Sequence, residues 1–344
     1  MPIALELRKT EMKKIIFRAD GGVKTGFGHI YRLLALAEML REDFLCVFVT
    51  SVQNDFLQSE IQKCCSLLIL PDSENPVDPN ADLPFDLEPF LTGTEIVVID
   101  GYHFRCAYQM AVKNAGCKLV CVDDLVIPEI CADLIINHSP GIRLEDYTVY
   151  KSVQLCLGLE YAILRKPFFR PFLIKRDKYQ SAFVSFGGAD PFGFCYKLAS
   201  IILNLQLYRS VHVLCSSSFS SDLLQRLTVL EASSNDQLIL HLNLGAAEIV
   251  DLMDVCTDAF VSASTVLLEA YSRGLRCYTG YYVDNQKNNY SGFVENKLAI
   301  GMGRVNDLSD SDFKGLFHKD QSVQLCPAPL GSVGNIKNAF KTLC

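Results

Sequence analysis

Residues 17–32 read Phe17-Arg18-Ala19-Asp20-Gly21-Gly22-Val23-Lys24-Thr25-Gly26-Phe27-Gly28-His29-Ile30-Tyr31-Arg32. A short apolar run, 13–18, enters this stretch as a strand, and a longer one, 29–40, leaves it as a helix. Between them stand glycines at 21, 22, 26 and 28 and a histidine at the exit. A glycine-rich loop opening a helix lets a ligand approach the backbone and aims free N–H groups at it. A histidine there can move a proton near neutral pH. The bland alternative is a helix-start residue satisfying local hydrogen bonds. With four glycines around it, His29 is read as the chemical centre of a two-lobed cleft.

The rest of the chain gives that centre its setting. A length of 344 residues suggests two domains of roughly 150 each. Apolar residues at 49 % and charged residues at 21 % describe a globular chain with ample core. A net charge of −7 argues against a general nucleic-acid binder, which needs a basic surface, but not against a local nucleotide site. The 14 cysteines show no C-x-x-C spacing and sit mostly in apolar runs, as small core residues do. They fit a reduced, cytoplasmic protein better than a disulfide framework. No apolar run reaches the ~18 residues of a membrane-spanning helix, so no stable membrane insertion is expected. Residues 1–12 are set apart as an N-terminal extension without an assigned role.

In the first half, strand-like runs at 13–18, 44–50, 66–70, 95–100, 118–123 and 133–137 alternate with helix-like runs at 29–41, 54–64 and 104–115. The strands are apolar almost throughout, as in a parallel sheet buried on both faces. A polar insertion at 71–86 reads as a surface loop. The rhythm breaks over 151–178, taken as the connection between domains, and then restarts. Strands are expected at 182–186, 211–215, 238–241, 259–262 and 276–282, with helices at 192–203, 220–231, 246–255, 266–273 and 286–297. The predicted organisation is α/β: a Rossmann-like domain over 13–160, a second over 175–330, and a helix in 331–344 crossing back to the first.

Neither a G-x-G-x-x-G fingerprint, whose third glycine position holds Tyr31, nor a P-loop is present, so a dinucleotide cofactor is disfavoured. The run Glu95-Ile-Val-Val-Ile-Asp100-Gly-Tyr102-His103 ends a buried strand with an acid, and residues there face the ligand crevice of a parallel sheet. Asp100 is a candidate to orient His29 or a water, or else an N-cap. Asp123-Asp124 has the same placement; a metal would need a third ligand, so sugar contact or capping is preferred. Phe186-Gly187-Gly188-Ala189-Asp190-Pro191 repeats the opening logic in the second half, with Asp190 as a cap ahead of Pro191. Ser262-Ala263-Ser264-Thr265, with Glu269 one turn later, offers N–H and O–H donors to a diphosphate, or forms a simple capping box.

Taken in order, these motifs resemble a known family. Arg18-Ala-Asp20, Gly26-Phe-Gly28-His29-Ile-Tyr-Arg32, Asp100, Asp123-Asp124, Asn137-His138-Ser139, Gly158-Leu-Glu-Tyr161-Ala-Ile-Leu-Arg165, Gly187-Gly188-Ala-Asp190, Ser262 to Glu269 and Asn285-Gln286 match the UDP-sugar hydrolases of pseudaminic acid biosynthesis over about residues 13–300. The resemblance implies a GT-B architecture, two Rossmann-like domains facing across a cleft. It relates the chain to the glycosyltransferase that adds N-acetylglucosamine to lipid I, which also carries a G-x-G-H turn. It implies hydrolysis of a UDP-linked diacetamido-trideoxy sugar by water at the anomeric carbon, with inversion and no metal or other cofactor. His29 matches the general base, with Asp100 beside it. Substrate contacts then fall to Asp20, Gly26, Gly28, Arg32, Tyr102, Asp124, Asn137 and Tyr161. Gly187, Gly188, Asp190, Ser262, Ser264, Thr265, Glu269, Asn285 and Gln286 are expected to hold UDP. Rival readings are a GT-B glycosyltransferase, a non-catalytic nucleotide-sugar binder and an epimerase. Tyr31, the 71–86 insertion and the N-terminal extension depart from the family pattern.

Overall fold

The computed structural model describes residues 12–21, 27–71, 83, 85–127, 129–148, 152–172, 181–318 and 322–344. They fall into two compact units. One comprises Met1–His138, Ile142–Lys166 and Gly331–Cys344, and the other Ser139–Gly141 and Pro167–Leu330.

The first unit's sheet carries, among the described residues, β1 (Lys14–Ala19), β2 (Leu45–Thr50), β3 (Ser66–Ile69), β4 (Ile96–Asp100), β5 (Lys118–Val122), β6 (Leu134–Asn137) and β7 (Gln154–Leu157). All its pairs are parallel, in the order β3-β2-β1-β4-β5-β6-β7. Strands β1 and β4 are buried along nearly their whole length, which explains why they read as unbroken apolar runs. Helix α1 (Gly28–Leu40) buries Ile30, Leu33, Leu36, Ala37 and Leu40, the stripe expected at helical spacing. Helices α2 (Asp55–Gln62) and α3 (Cys106–Asn114) complete the crossovers described. Strand β7 lies inside the stretch expected to be a connection. Its sequence, Gln-Leu-Cys-Leu, is too short to announce itself, and its pairing with β6 makes it a strand.

The second unit's sheet has the order β10-β9-β8-β11-β12-β13, again parallel throughout. Its strands are β8 (Ser181–Ser185), β9 (Ser210–Cys215), β10 (Leu238–Leu242), β11 (Asp258–Ser262), β12 (Arg276–Tyr281) and β13 (Ile300–Arg304). Helices α4 (Phe194–Leu205), α5 (Ser221–Ala232), α6 (Ala246–Val255), α7 (Thr265–Ser272), α8 (Lys287–Glu295) and α9 (Asp310–His318) follow in the sequence. Strand β13 and α9 were not expected. The former reads Ile-Gly-Met-Gly-Arg, and two glycines in five residues hide its strand character. In this unit's core Phe260 stacks on Tyr278 and meets Phe313 at a tilt.

Helix α10 (Ser332–Lys341) belongs to the first unit. Its Ser332 Oγ donates to Ala162 O at 2.7 Å, Lys337 pairs with Glu42 and Asp43, and Phe340 meets Phe44 edge-on.

Candidate functional site

In each unit the strand order reverses direction once, between β1 and β4 in the first and between β8 and β11 in the second. The carboxyl ends of strands flanking such a reversal leave a crevice where open α/β sheets bind ligands. Several of the sequence-selected residues lie at or just past such strand ends: Asp100 and Asp124 in the first unit, Gly187 and Ser262 in the second.

In the first unit, β4 delivers Asp100 at its last position, in register with Ala19 at the end of β1. Asp124 stands two residues past the end of the neighbouring strand β5. His29 is the second residue of α1, and Arg32, three residues on, lies on the same helix face. The four converge. His29 Nδ1 is 2.7 Å from Asp100 Oδ1. Arg32 grips both oxygens of the same carboxylate, Nε to Oδ2 and Nη2 to Oδ1, each at 2.7 Å. Its Nη1 donates to Asp124 Oδ2 at 3.0 Å, and Tyr102 donates its hydroxyl to the other Asp124 oxygen at 3.0 Å. The Tyr102 ring stands edge-on to the His29 imidazole at 4.9 Å. Gly101 makes the turn possible at φ +150°, where a Cβ would lie 2.9 Å from the His103 ring.

Burial by itself raises the pKa of Asp100, but Arg32 and His29 outweigh it and hold the carboxyl well below the usual range. Burial works against the Arg32 charge too, and Asp100 and Asp124 more than restore it. An ionised Asp100 only accepts, so the His29 Nδ1 donates to it, and in a neutral imidazole that leaves the lone pair on Nε2. Asp100 is 1 % exposed and His29 13 %, so the carboxylate is sealed while the imidazole keeps an open edge. A carboxylate placed this way is a fixed acceptor that can hold an imidazole in one tautomer, the arrangement general-base chemistry uses.

Other residues selected from the sequence turn inward. Asp20 pairs with Arg18 at 2.6 Å and accepts from the Ser51 N–H and hydroxyl at 2.8 Å. Arg18 also pairs with Asp86, whose Oδ1 accepts from Tyr108 at 2.6 Å, so the end of the expected surface loop is built into the core. Burial raises the Asp20 pKa, while His103 and Arg18 lower it further still. Asp20 is thus buried and engaged inside the unit. Asn137 is fully buried and donates to the Tyr147 hydroxyl at 2.9 Å, which donates to Asp123 at 2.6 Å. It supports the β5–β6 strand ends. Tyr161 closes a short 3-10 turn (Leu159–Tyr161) beside Cys156 of β7. Gly28 is the first residue of α1, and Gly26 lies outside the described residues. The Arg18–Asp86–Tyr108 cluster was missed, because its members lie 68 and 22 residues apart in sequence.

In the second unit, Gly187 follows β8 at φ +84°, a conformation that favours glycine, with Gly188 after it. Asp190 accepts from the N–H groups of Phe194 at 2.9 Å and Cys195 at 2.8 Å. Both oxygens are thereby spent on the start of α4, which begins at Phe194, three residues after Pro191. Asp190 acts as a cap, and its burial raises its pKa.

Ser262 ends β11, and Ser264 precedes α7. Their hydroxyls bond each other at 2.9 Å, and neither caps the helix. A capping box would need an acid or amide at the third helical position, which is Leu267, so that alternative fails. Thr265 opens the helix, and Glu269 is buried within it. Gln286 accepts the Tyr282 N–H at 3.1 Å, and Asn285 shares its 3-10 turn (Asp284–Gln286). Two supports were not foreseen: Tyr282 donates to Phe186 O at 3.3 Å, and Asn289 to Ala263 O at 3.1 Å. Asn289 lies one helical turn after Gln286, a spacing that could have flagged it. Among the described residues no group of three or more His, Cys, Asp or Glu side chains is gathered to hold a metal ion, and no helix is long and apolar enough to cross a membrane.

The fold is of the GT-B class. MurG of Acinetobacter baumannii superposes with a TM-score of 0.64 at 11 % identity, covering 96 % of this chain and 99 % of that one. CalG4, the calicheamicin glycosyltransferase, gives 0.60 at 12 % over 97 % and 95 %. MnaA of S. aureus, solved with UDP, gives 0.61 at 12 % over 96 % of each. By sequence the chain is similar to the UDP-2,4-diacetamido-2,4,6-trideoxy-beta-L-altropyranose hydrolase of Campylobacter jejuni, 25 % identical over 282 residues, covering 80 % of this chain and 94 % of the relative. The resemblance carried by the motifs is thus met again in a relative named as a UDP-sugar hydrolase. An uncharacterized protein of Methanocaldococcus jannaschii is 23 % identical over 326 residues, covering 90 % of this chain and 63 % of its own length. No family model matches the chain.

Proposed function

We propose that this protein hydrolyses a UDP-linked diacetamido-trideoxy sugar of the pseudaminic acid type, releasing UDP and the free sugar. The observation that carries the reading is the fixed His29–Asp100 pair at 2.7 Å. The similarity to the Campylobacter hydrolase supports the substrate class. His29 Nε2 takes a proton from water as the water attacks the anomeric carbon. Asp100, kept ionised, steadies the imidazolium that forms. General-base assistance of this kind is worth about 10²–10⁴-fold. Attack from the face opposite the leaving group inverts the anomeric centre.

The leaving UDP gathers negative charge on its diphosphate. The turn at Gly187-Gly188, the Ser262–Ser264 hydroxyl pair and the uncapped first turn of α7 are the donors assigned to it. Tyr102, Asp124 and Tyr161 are assigned to the sugar. No metal or other cofactor is assigned a role.

The protein is incubated with the UDP-sugar and no acceptor, and UDP is followed with time. Catalytic release above a His29→Asn control is the expected result. A second reading, transfer to an acceptor, is favoured by the fold it shares with CalG4. Binding without release until an acceptor is added would establish that reading instead.

A further inference from the structure

A thiol pair in the first unit takes no part in the proposed chemistry. Cys106 is the first residue of α3, and Cys131 lies on the segment leading to β6. Their sulfurs are 3.3 Å apart, and both side chains are partly accessible. The elements that carry them are already clamped together. Gln109 of α3 accepts the Cys131 N–H at 2.8 Å and donates to Phe104 O at 2.8 Å.

The competing pair is Cys64–Cys65, with sulfurs 3.5 Å apart. Adjacent residues have Cα atoms about 3.8 Å apart across a trans peptide, short of the roughly 4.4 Å that a relaxed disulfide needs. That pair closes only by distorting the backbone. Most of the remaining cysteines are buried, and Cys344 is exposed.

We propose that Cys106 and Cys131 form a dithiol site that a low-molecular-weight disulfide oxidises to an intramolecular disulfide, ahead of any other cysteine pair in the chain. The Cys106 thiolate attacks one sulfur of the reagent, forming a mixed disulfide and expelling one reagent thiolate. Cys131 then loses its proton and attacks the Cys106 sulfur, expelling the second. Two thiols are oxidised and one reagent disulfide is reduced to two thiols. Burial and the neighbouring Cys106 push the Cys131 pKa up, which gives the first attack to Cys106. The bond closes a loop that contains β5, Asp123 and Asp124, so it staples the strand end that carries part of the candidate site.

The test uses the full chain and oxidised glutathione. After alkylation and digestion without reductant, mass spectrometry is expected to find the Cys106 and Cys131 peptides joined, two hydrogens lighter than their sum. Thermal unfolding should move up by several degrees in the oxidised wild type and not in Cys131→Ser. Cys106→Ser serves as the second variant should the first fold poorly. Joined Cys64 and Cys65 without the 106–131 link would overturn the proposal. So would glutathione retained on Cys106 equally in wild type and Cys131→Ser, or no link at glutathione levels that modify Cys344.

Discussion

The two units use the same topological position in opposite ways. In the first, the strand ends meet in charge: Asp100 and Asp124 share Arg32, and His29 is fixed against Asp100. In the second, they meet in backbone turns and hydroxyls, and the selected carboxylate near the glycine turn, Asp190, is spent on capping α4. A buried ion cluster can hold one imidazole in one tautomer, but its own charges are already paired. Amide and hydroxyl donors of this kind cannot tune a base, yet they suit an incoming anion. In the proposed function, proton transfer falls to the first unit and anion binding to the second.

The strongest way to break that comparison is His29→Asn. Turnover is expected to fall by about 10²–10⁴-fold, with UDP affinity measured by titration staying near that of the wild type. A loss of UDP affinity with turnover retained would reverse the assignment.

Asp100→Asn comes next. An amide can present N–H to the His29 Nδ1, which turns the imidazole to the wrong tautomer, and it leaves Arg32 without half its ion pair. Turnover should fall by roughly 10²-fold or more, and stability by about 3–5 kcal/mol by denaturant titration. A variant as active as the wild type would leave Asp100 a structural partner of Arg32 alone.

Ser264→Ala sharpens the other side. The expected loss is roughly 1 kcal/mol, or about five-fold in UDP dissociation constant, with turnover at saturating substrate kept. An unchanged UDP titration would remove the hydroxyl pair from the anion site.

The smallest effect concerns pH. His138 accepts the Ile163 N–H at 3.2 Å, and burial, with Arg32, lowers its pKa from 6.5 to about 4. The unfolded chain therefore binds more protons than the folded one between those values, and stability rises with pH there. The neutral His138 contribution is complete above 6.5 and is lost as pH falls towards 4. His138→Asn should flatten that slope in denaturant titrations from pH 7 to 4. It should not abolish it, because His212 in the second unit is lowered to about 4 as well, chiefly by burial. An unchanged slope would show that His138 titrates alike in both states.

Much of this was legible in the sequence, for a physical reason. Strands buried on both faces must be apolar throughout, so β1, β4 and β11 announced themselves. Charged or small residues that follow such strands must lie at their carboxyl ends, which marked Asp100, Asp124 and Ser262. Short-range patterns said nothing of what an acid pairs with. Asp20, Asn137 and Asp190 were marked by the same rule but face inward, held by Ser51, Tyr147 and the Phe194 N–H. Arg32 was read as a substrate contact, and its bidentate grip on Asp100, 68 residues away, needed the fold. Strands β7 and β13 depended on a partner edge, which local composition cannot supply.

The central claim is that water, activated by His29, breaks the bond at the anomeric carbon. Hydrolysis of the UDP-diacetamido-trideoxy-altrose in ¹⁸O-labelled water, followed by mass spectrometry and NMR, tests it most directly. The account predicts label in the free sugar, an inverted first-formed anomer, and loss of both signals in His29→Asn. Label in UDP would place the attack at phosphorus and contradict it.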